Sequence, residues 1–262
     1  MILRNVKSRS SLKQATGRNI KLEIEYDGSN YAGWQVQPKS RGKTIQKIIE
    51  KTLQGILQER VKLIASGRTD AGVHALGQVA NFYTYSKLPL VRLKIALNGL
   101  LPADVKIVDL KNLPYTFHSR FSAKAKVYRY TILNRDYSSP LLRNRVYFYP
   151  HPLNARLMQK EAKVLLGKHD FSAFVASQGK EKNPVRTIRN ISVIREKDFI
   201  LINIEADGFL YNMVRNIVGT LINVGCAKCP EGKLKQILLS KDRSKAGFTA
   251  PSVGLCLMKV KY

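Results

Sequence analysis

An α+β fold with a mostly antiparallel sheet is predicted for this 262-residue chain by three observations. Stretches of period-two apolar alternation recur between stretches of helical spacing, several of the former lie close enough to form hairpins, and one twelve-residue pattern occurs twice. Ile20 to Tyr26 alternates as a strand, followed by an irregular Gly/Pro-containing stretch to Gly42. Ile45, Ile48, Ile49, Leu53, Ile56 and Leu57 then fall on one helical face, with Thr44 placed to cap it. The short run Val61, Leu63, Ile64 and the alternating segment Gln78 to Tyr83 flank a glycine-framed loop. A helix over Val91–Leu100 ends before Pro102, and strands are expected over Val105–Leu110, Val127–Leu133 and Val146–Tyr149. Asn154 caps a helix to Leu166 with Gly167 at its end. Strands Ile188–Arg195 and Phe199–Ala206, helix Met213–Val224, a short helix Glu231–Leu239 and a last strand Leu255–Val260 complete the chain.

The repeated pattern sets Ile20-Lys-Leu-Glu-Ile-Glu-Tyr-Asp-Gly-Ser-Asn-Tyr31 against Ile200-Leu-Ile-Asn-Ile-Glu-Ala-Asp-Gly-Phe-Leu-Tyr211. Each ends a strand on an Asp-Gly corner, and an internal duplication is the expectation. Two related halves would place Tyr31 and Tyr211 at equivalent corners and leave a central cleft between the halves for a ligand. The expected organisation is a basic arm over 1–19, a first half over 20–112 and a second over 113–262, with the boundary near Lys111 to Phe117.

Lys and Arg number 45 against 18 acids, a formal charge of +27. A field of that size repels itself unless a polyanion neutralises it, so the expected partner is nucleic acid, bound through a folded surface because the charge runs the length of the chain. No stretch approaches the roughly 20 apolar residues of a membrane helix. Residues 1–19 carry five cations and no acid; they read as a basic arm, or as a transit segment if the protein is organellar, and the expected location is cytoplasmic. Three cysteines, an odd number, argue against a disulfide framework. Cys226 and Cys229 form a C-x-x-C without a second pair or a nearby histidine, so no metal is expected.

The most informative segment is SGRTDAGVHALGQVANFY, Ser66 to Tyr83. Gly67 and Gly72 bracket its tip, so the loop can hold Arg68 and Asp70 in fixed directions. An Asp-Gly turn with a surface arginine is the plainer alternative. His74 follows closely, and a histidine there more often packs or hydrogen-bonds than acts as a base. Arg215 stands on an otherwise apolar helix, where a cation needs a counter-charge or must snorkel to water.

YDGSNYAGWQVQP, GRTDAGVHALGQVANF, LNGLLPADVKI, FHSRFSAKAKVYRYTI, GKHDFSAF, GFLYNMVRNIVGTLINVG and DRSKAGFTAPSVGLCLMKV together resemble, in order, the TruA-type tRNA pseudouridine synthases. The resemblance covers all but residues 1–19. It implies a homodimer of two RNA-recognition-like halves that isomerises uridine in the anticodon arm of tRNA, at positions thirty-eight to forty. It also implies that Asp70 is the catalytic carboxylate, that Arg215 pairs with it, and that Tyr128 stacks on the flipped base and assists removal of the C5 proton. Arg68 would fill the vacated stack, and Leu257 would pack on the uracil. Breaking N1–C1′, turning the base and joining C5 to C1′ consumes no carrier, so no cofactor is expected. The chain has no dinucleotide fingerprint or phosphate-binding glycine loop. In a cationic site the pKa of Asp70 should be lowered. A non-catalytic tRNA-binding protein or RNA chaperone, and a synthase directed at other RNA sites, are the alternatives.

Overall fold

The computed structural model describes residues 17–35, 42–176 and 183–262. Its strands are β1 (Arg18–Tyr26), β2 (Ile64–Ala65), β3 (His74–Thr84), β4 (Val105–Leu113) and β5 (Ala125–Leu133), then β6 (Tyr147–Phe148), β7 (Gly167–Asp170), β8 (Val185–Glu196), β9 (Phe199–Ala206) and β10 (Leu255–Lys261). The α-helices are α1 (Ile45–Leu57), α2 (Leu90–Leu100), α3 (Ala155–Ala162), α4 (Met213–Gly225) and α5 (Lys233–Ser240). All ten strands join one sheet in the order β4-β1-β3-β10-β5-β9-β8-β7, with β2 on β3 and β6 on β5. Pairing is antiparallel except at β5–β6 and at the β3–β10 seam, where Cys256 faces His74 and Leu257 faces Ala75.

That order contains the same β-α-β-β-α-β path twice: β1-α1-β2-β3-α2-β4 and β5-α3-β8-β9-α4-β10. In both, the spatial order is last, first, third, second strand, as β4-β1-β3-β2 and β10-β5-β9-β8. β1 therefore occupies the first position of one path and β9 the third position of the other. The twelve-residue likeness between 20–31 and 200–211 does not mark equivalent positions. Tyr31 is buried and donates its hydroxyl to Asp104 at 2.5 Å, whereas Tyr211 is half exposed at the mouth of a cavity. The two segments agree because both are strands ending on an Asp-Gly corner.

Strand alternation reads directly into burial: in β9, Ile200, Ile202, Ile204 and Ala206 are fully buried while the residues between them are partly exposed. Four expectations shift. Thr44 stands at the N-cap of α1, but its hydroxyl makes no capping bond and is buried without a partner among the described residues. Asn154 does cap α3, accepting from the Leu157 N–H at 3.0 Å, and the helix ends at Ala162 in a 3₁₀ turn over Lys163–Leu165. β7 was masked in the sequence by its polar composition, Gly-Lys-His-Asp, and pairs on β8 as an edge. The expected arm over 1–19 overlaps β1 by two residues. Arg18 and Asn19 open β1, and Asn19 Nδ2 donates to the carbonyls of Pro114 and Phe117, so only 1–16 lie outside the described residues.

Gly219 of α4 packs against the backbone of 247–250, and a methyl at that position would overlap the Phe248 carbonyl. Overpacking typically costs about 1–3 kcal/mol. Gly219→Ala should therefore lower the thermal midpoint clearly, which a melting curve checks.

Candidate active site

The loop 66–73 joins β2 to β3 and is tied at each step. Ser66 N–H donates to Val79 O at 2.8 Å and Ser66 Oγ to Gln78 Oε1 at 2.8 Å, while Gln78 Nε2 donates to Gly67 O at 3.0 Å. Thr69 Oγ1 lies 2.8 Å from Tyr26 Oη, Trp34 N–H donates to Thr69 O at 3.1 Å, and Val73 N–H donates to Asp70 O at 3.2 Å. Gly72 takes φ +76°, the left-handed conformation glycine tolerates best, to turn the chain back into β3. A backbone bonded this densely has few ways to relax, so the direction of Asp70 is set by the fold.

Arg215 approaches from the first turn of α4. Its Nε donates to Ala250 O at 2.6 Å, and its Nη1 donates to Asn212 Oδ1 at 3.1 Å and to Asp70 Oδ2 at 3.4 Å. The cation on the apolar helix thus meets a carboxylate contributed 145 residues earlier. Tyr128, on β5, is buried and meets Phe209 edge-on, with ring centroids 5.1 Å apart. Asp70, Arg215, Tyr128 and Phe209 all line one open cavity of about 790 Å³, together with Lys62, Arg68, Arg120, Lys126, Phe121 and Tyr211. Among its described lining residues Asp70 is the one carboxylate, against Lys62, Arg68, Arg120, Lys126 and Arg215.

Arg68 is exposed at the wall of this cavity, two residues from Asp70. Leu257 is not part of it. It is 1% exposed, sits in register between Tyr128 of β5 and Ala75 of β3, and belongs to the core. Leu255, two residues earlier on the same face of β10, lines the cavity instead. His74 lies at the β3–β10 seam, with Nδ1 accepting from Gly28 N–H at 3.2 Å and Nε2 3.2 Å from Val253 O, which makes it a structural bracket. Lys62, Arg120, Lys126 and Phe209 were not singled out in the sequence. Lys126 was accessible to it, since a residue two before Tyr128 on a strand shares its face. Among the described residues no group of three or more His, Cys, Asp or Glu side chains could hold a metal, and no helix is long and apolar enough to cross a membrane.

The profile of the tRNA pseudouridine synthase family matches residues 23–122 and 162–262. Proteins named tRNA pseudouridine synthase A from Thermoanaerobacter sp. (strain X514) and from Acetivibrio thermocellus are each 49% identical over 245 residues, covering 94% of this chain and all of theirs. That from Ruminiclostridium cellulolyticum is 46% identical over 246 residues, with the same coverage. The chain belongs to the tRNA pseudouridine synthase family.

Electrostatics in the synthase depart from the sequence expectation at its central residue. Burial raises the pKa of Asp70, and the Arg215 charge and hydrogen bond offset this only in part, so the net shift is upward. Counting basic residues suggested the opposite; desolvation by the packed loop outweighs one guanidinium at 3.4 Å. Burial also pushes the Tyr128 hydroxyl far up, with further contributions from Tyr26, Asp70 and Cys256, so the phenol stays protonated at working pH. The ring of Tyr128 can stack on a nucleobase and its hydroxyl can donate.

A raised carboxyl pKa has a definite sign. The protonated form is the one the fold favours, so the contribution of Asp70 to stability is full below the ordinary carboxylate value and is lost as pH rises through the raised one. Activity that needs the ionised form runs the other way. The acid limb of the pH–rate profile of the synthase should lie above the ordinary carboxylate value of about 3.9, and Arg215→Gln should move it higher still. Initial rates of tritium release across the acid range check this.

Proposed function

We propose that this chain isomerises uridine to pseudouridine in the anticodon arm of tRNA, at positions thirty-eight to forty, with Asp70 as the reacting carboxylate. The observation that carries the reading is a single carboxylate among the described lining residues of a cavity whose other charged side chains are five cations, set among apolar and neutral polar groups. Cationic walls suit an RNA backbone, and one ionised oxygen suits a reaction with one nucleophilic or basic step. In that step the N1–C1′ bond breaks, the base turns, C5 joins C1′, and the C5 proton is replaced by one on N1; nothing is oxidised or reduced. Asp70 either attacks C1′ or takes the C2′ proton, and its place in the cavity serves both routes.

The other roles follow from position. Tyr128, backed by Phe209, gives a flat face for the uracil, and Leu255 rather than Leu257 supplies apolar contact. Arg68, exposed beside Asp70, is placed to enter the gap that a flipped base leaves in the stem, since a planar guanidinium can stack and still bind phosphate. The repeated strand path and the two matched stretches support two RNA-recognition-like halves, 20–112 and 113–262, with the catalytic cleft between them. Asp70 and Arg68 come from the first, and Arg215, Tyr128 and Phe209 from the second. A homodimer is supported by Val91, Ile95 and Leu100, apolar residues exposed on α2. The bacterial relatives and the absence of a long apolar helix among the described residues fit work in the cytoplasm.

Purified protein incubated with unmodified tRNA, followed by position-resolved pseudouridine mapping, tests the assignment. Product confined to the anticodon arm is expected, and product elsewhere, or none, contradicts it. Binding of tRNA should also weaken steeply with salt. The log K against log salt plot is expected to be linear, falling by roughly 0.7–0.9 units for each phosphate contact. A flat plot would remove the electrostatic basis of substrate binding.

A further inference from the structure

The structure assigns a positioning role to Lys126, whose ammonium bonds the root of the catalytic loop and fixes where Asp70 points. This rests on the reading of Asp70 as the reacting carboxylate. Lys126 is the second residue of β5, two before Tyr128 and on the same side of the strand, and it lines the cavity. Its Nζ donates to Ser66 O at 2.7 Å, four residues before Asp70. Among the described residues it has no carboxylate partner, an unusual state for a largely buried lysine. Burial, aided by the charges of Arg120 and Arg186, pushes its pKa down to about 8.

Among the described residues the peptide it grips is otherwise held from β3, through Val79 and Gln78. Lys126 therefore ties the loop root to β5, the strand that carries Tyr128, while Arg215 ties the loop tip to α4. With both ties in place, the carboxylate and the aromatic face are referred to one frame. The fit is close: a Cβ added at Gly67 would lie 2.6 Å from Lys126 Nζ, and Gly67 does not need a left-handed backbone. A methyl at position 67 would therefore meet the end of the Lys126 side chain, which must shift to admit it.

Two independent variants break the same bond. Lys126→Met removes the ammonium but keeps an unbranched side chain, and Gly67→Ala pushes the ammonium off Ser66 O. Each should lower kcat by roughly 10²-fold, as for a misplacement of about 1 Å, with KM for tRNA unchanged. Once the ammonium is gone the Gly67 methyl has nothing to displace, so Gly67→Ala in the Lys126→Met background should cost little more than Lys126→Met alone. Wild-type kcat in Lys126→Met, while Asp70→Asn is inactive, overturns the assignment and leaves the reading of the site intact. Raised KM with unchanged kcat also overturns it, making Lys126 a phosphate contact. Fully additive losses in the double variant would show that the two residues do not act through one bond. Turnover in Asp70→Asn would instead remove the reading on which the role of Lys126 rests.

Discussion

Asp70→Asn should abolish isomerisation while leaving the fold and tRNA binding in place. Asparagine keeps the size of the side chain and an oxygen that can still accept from Arg215 Nη1, now 3.4 Å from Asp70 Oδ2. The bonds that shape the loop involve Ser66, Gly67, Thr69 and the Asp70 backbone, none of which changes. Because burial disfavours the ionised carboxyl, removing its charge does not destabilise the protein at neutral pH, and the melting temperature should hold or rise. What is lost is the only carboxylate on the described cavity wall, and a neutral amide neither attacks C1′ nor takes the C2′ proton. Tritium release from 5-labelled uridine in tRNA should fall to background, with binding measured by filter retention close to wild type.

Arg215→Ala is expected to have the second largest effect, and on two axes. The guanidinium bonds Ala250 O, Asn212 Oδ1 and Asp70 Oδ2, and its side chain is only 18% exposed. Hydrogen bonds to charged groups are worth about 1.5–3 kcal/mol, and the variant also strands a largely desolvated carboxylate, so a stability loss of that order is expected. The rate should fall by about 10²-fold or more, because the freed carboxylate no longer holds its direction and its pKa rises further. In a double-mutant cycle with Asp70→Ala, read by chemical denaturation, the combined loss should be smaller than the sum of the two singles. Strict additivity would mean that the two side chains do not interact, and the cavity would need another arrangement of its charges.

Much of this arrangement was legible before the structure. Asp70 stood out because glycines frame it between two strands, and Arg215 because a cation on an apolar helix demands a partner. The strand and helix sequence was legible because period two and period 3.6 survive in burial, as β9 and α4 show. Other features depend on distances that no local pattern encodes. Leu255 and Leu257 share a strand face and are both buried, and only the end of β10 relative to loop 66–73 decides which one reaches the cavity. The 20–31 and 200–211 likeness misled because a strand and a corner impose similar residues wherever they occur, whereas equivalence in a fold is set by strand order. The direction of the Asp70 shift is a balance between desolvation and one charge, and composition counts only the charges.

The central claim is that this cavity, through Asp70, converts uridine to pseudouridine in the anticodon arm. Mapping pseudouridine in tRNA from cells lacking this chain, re-expressing either the wild type or Asp70→Asn at equal protein level, tests it most directly. The wild type should restore pseudouridine at positions thirty-eight to forty and the variant should restore none. Equal restoration by both would contradict the account.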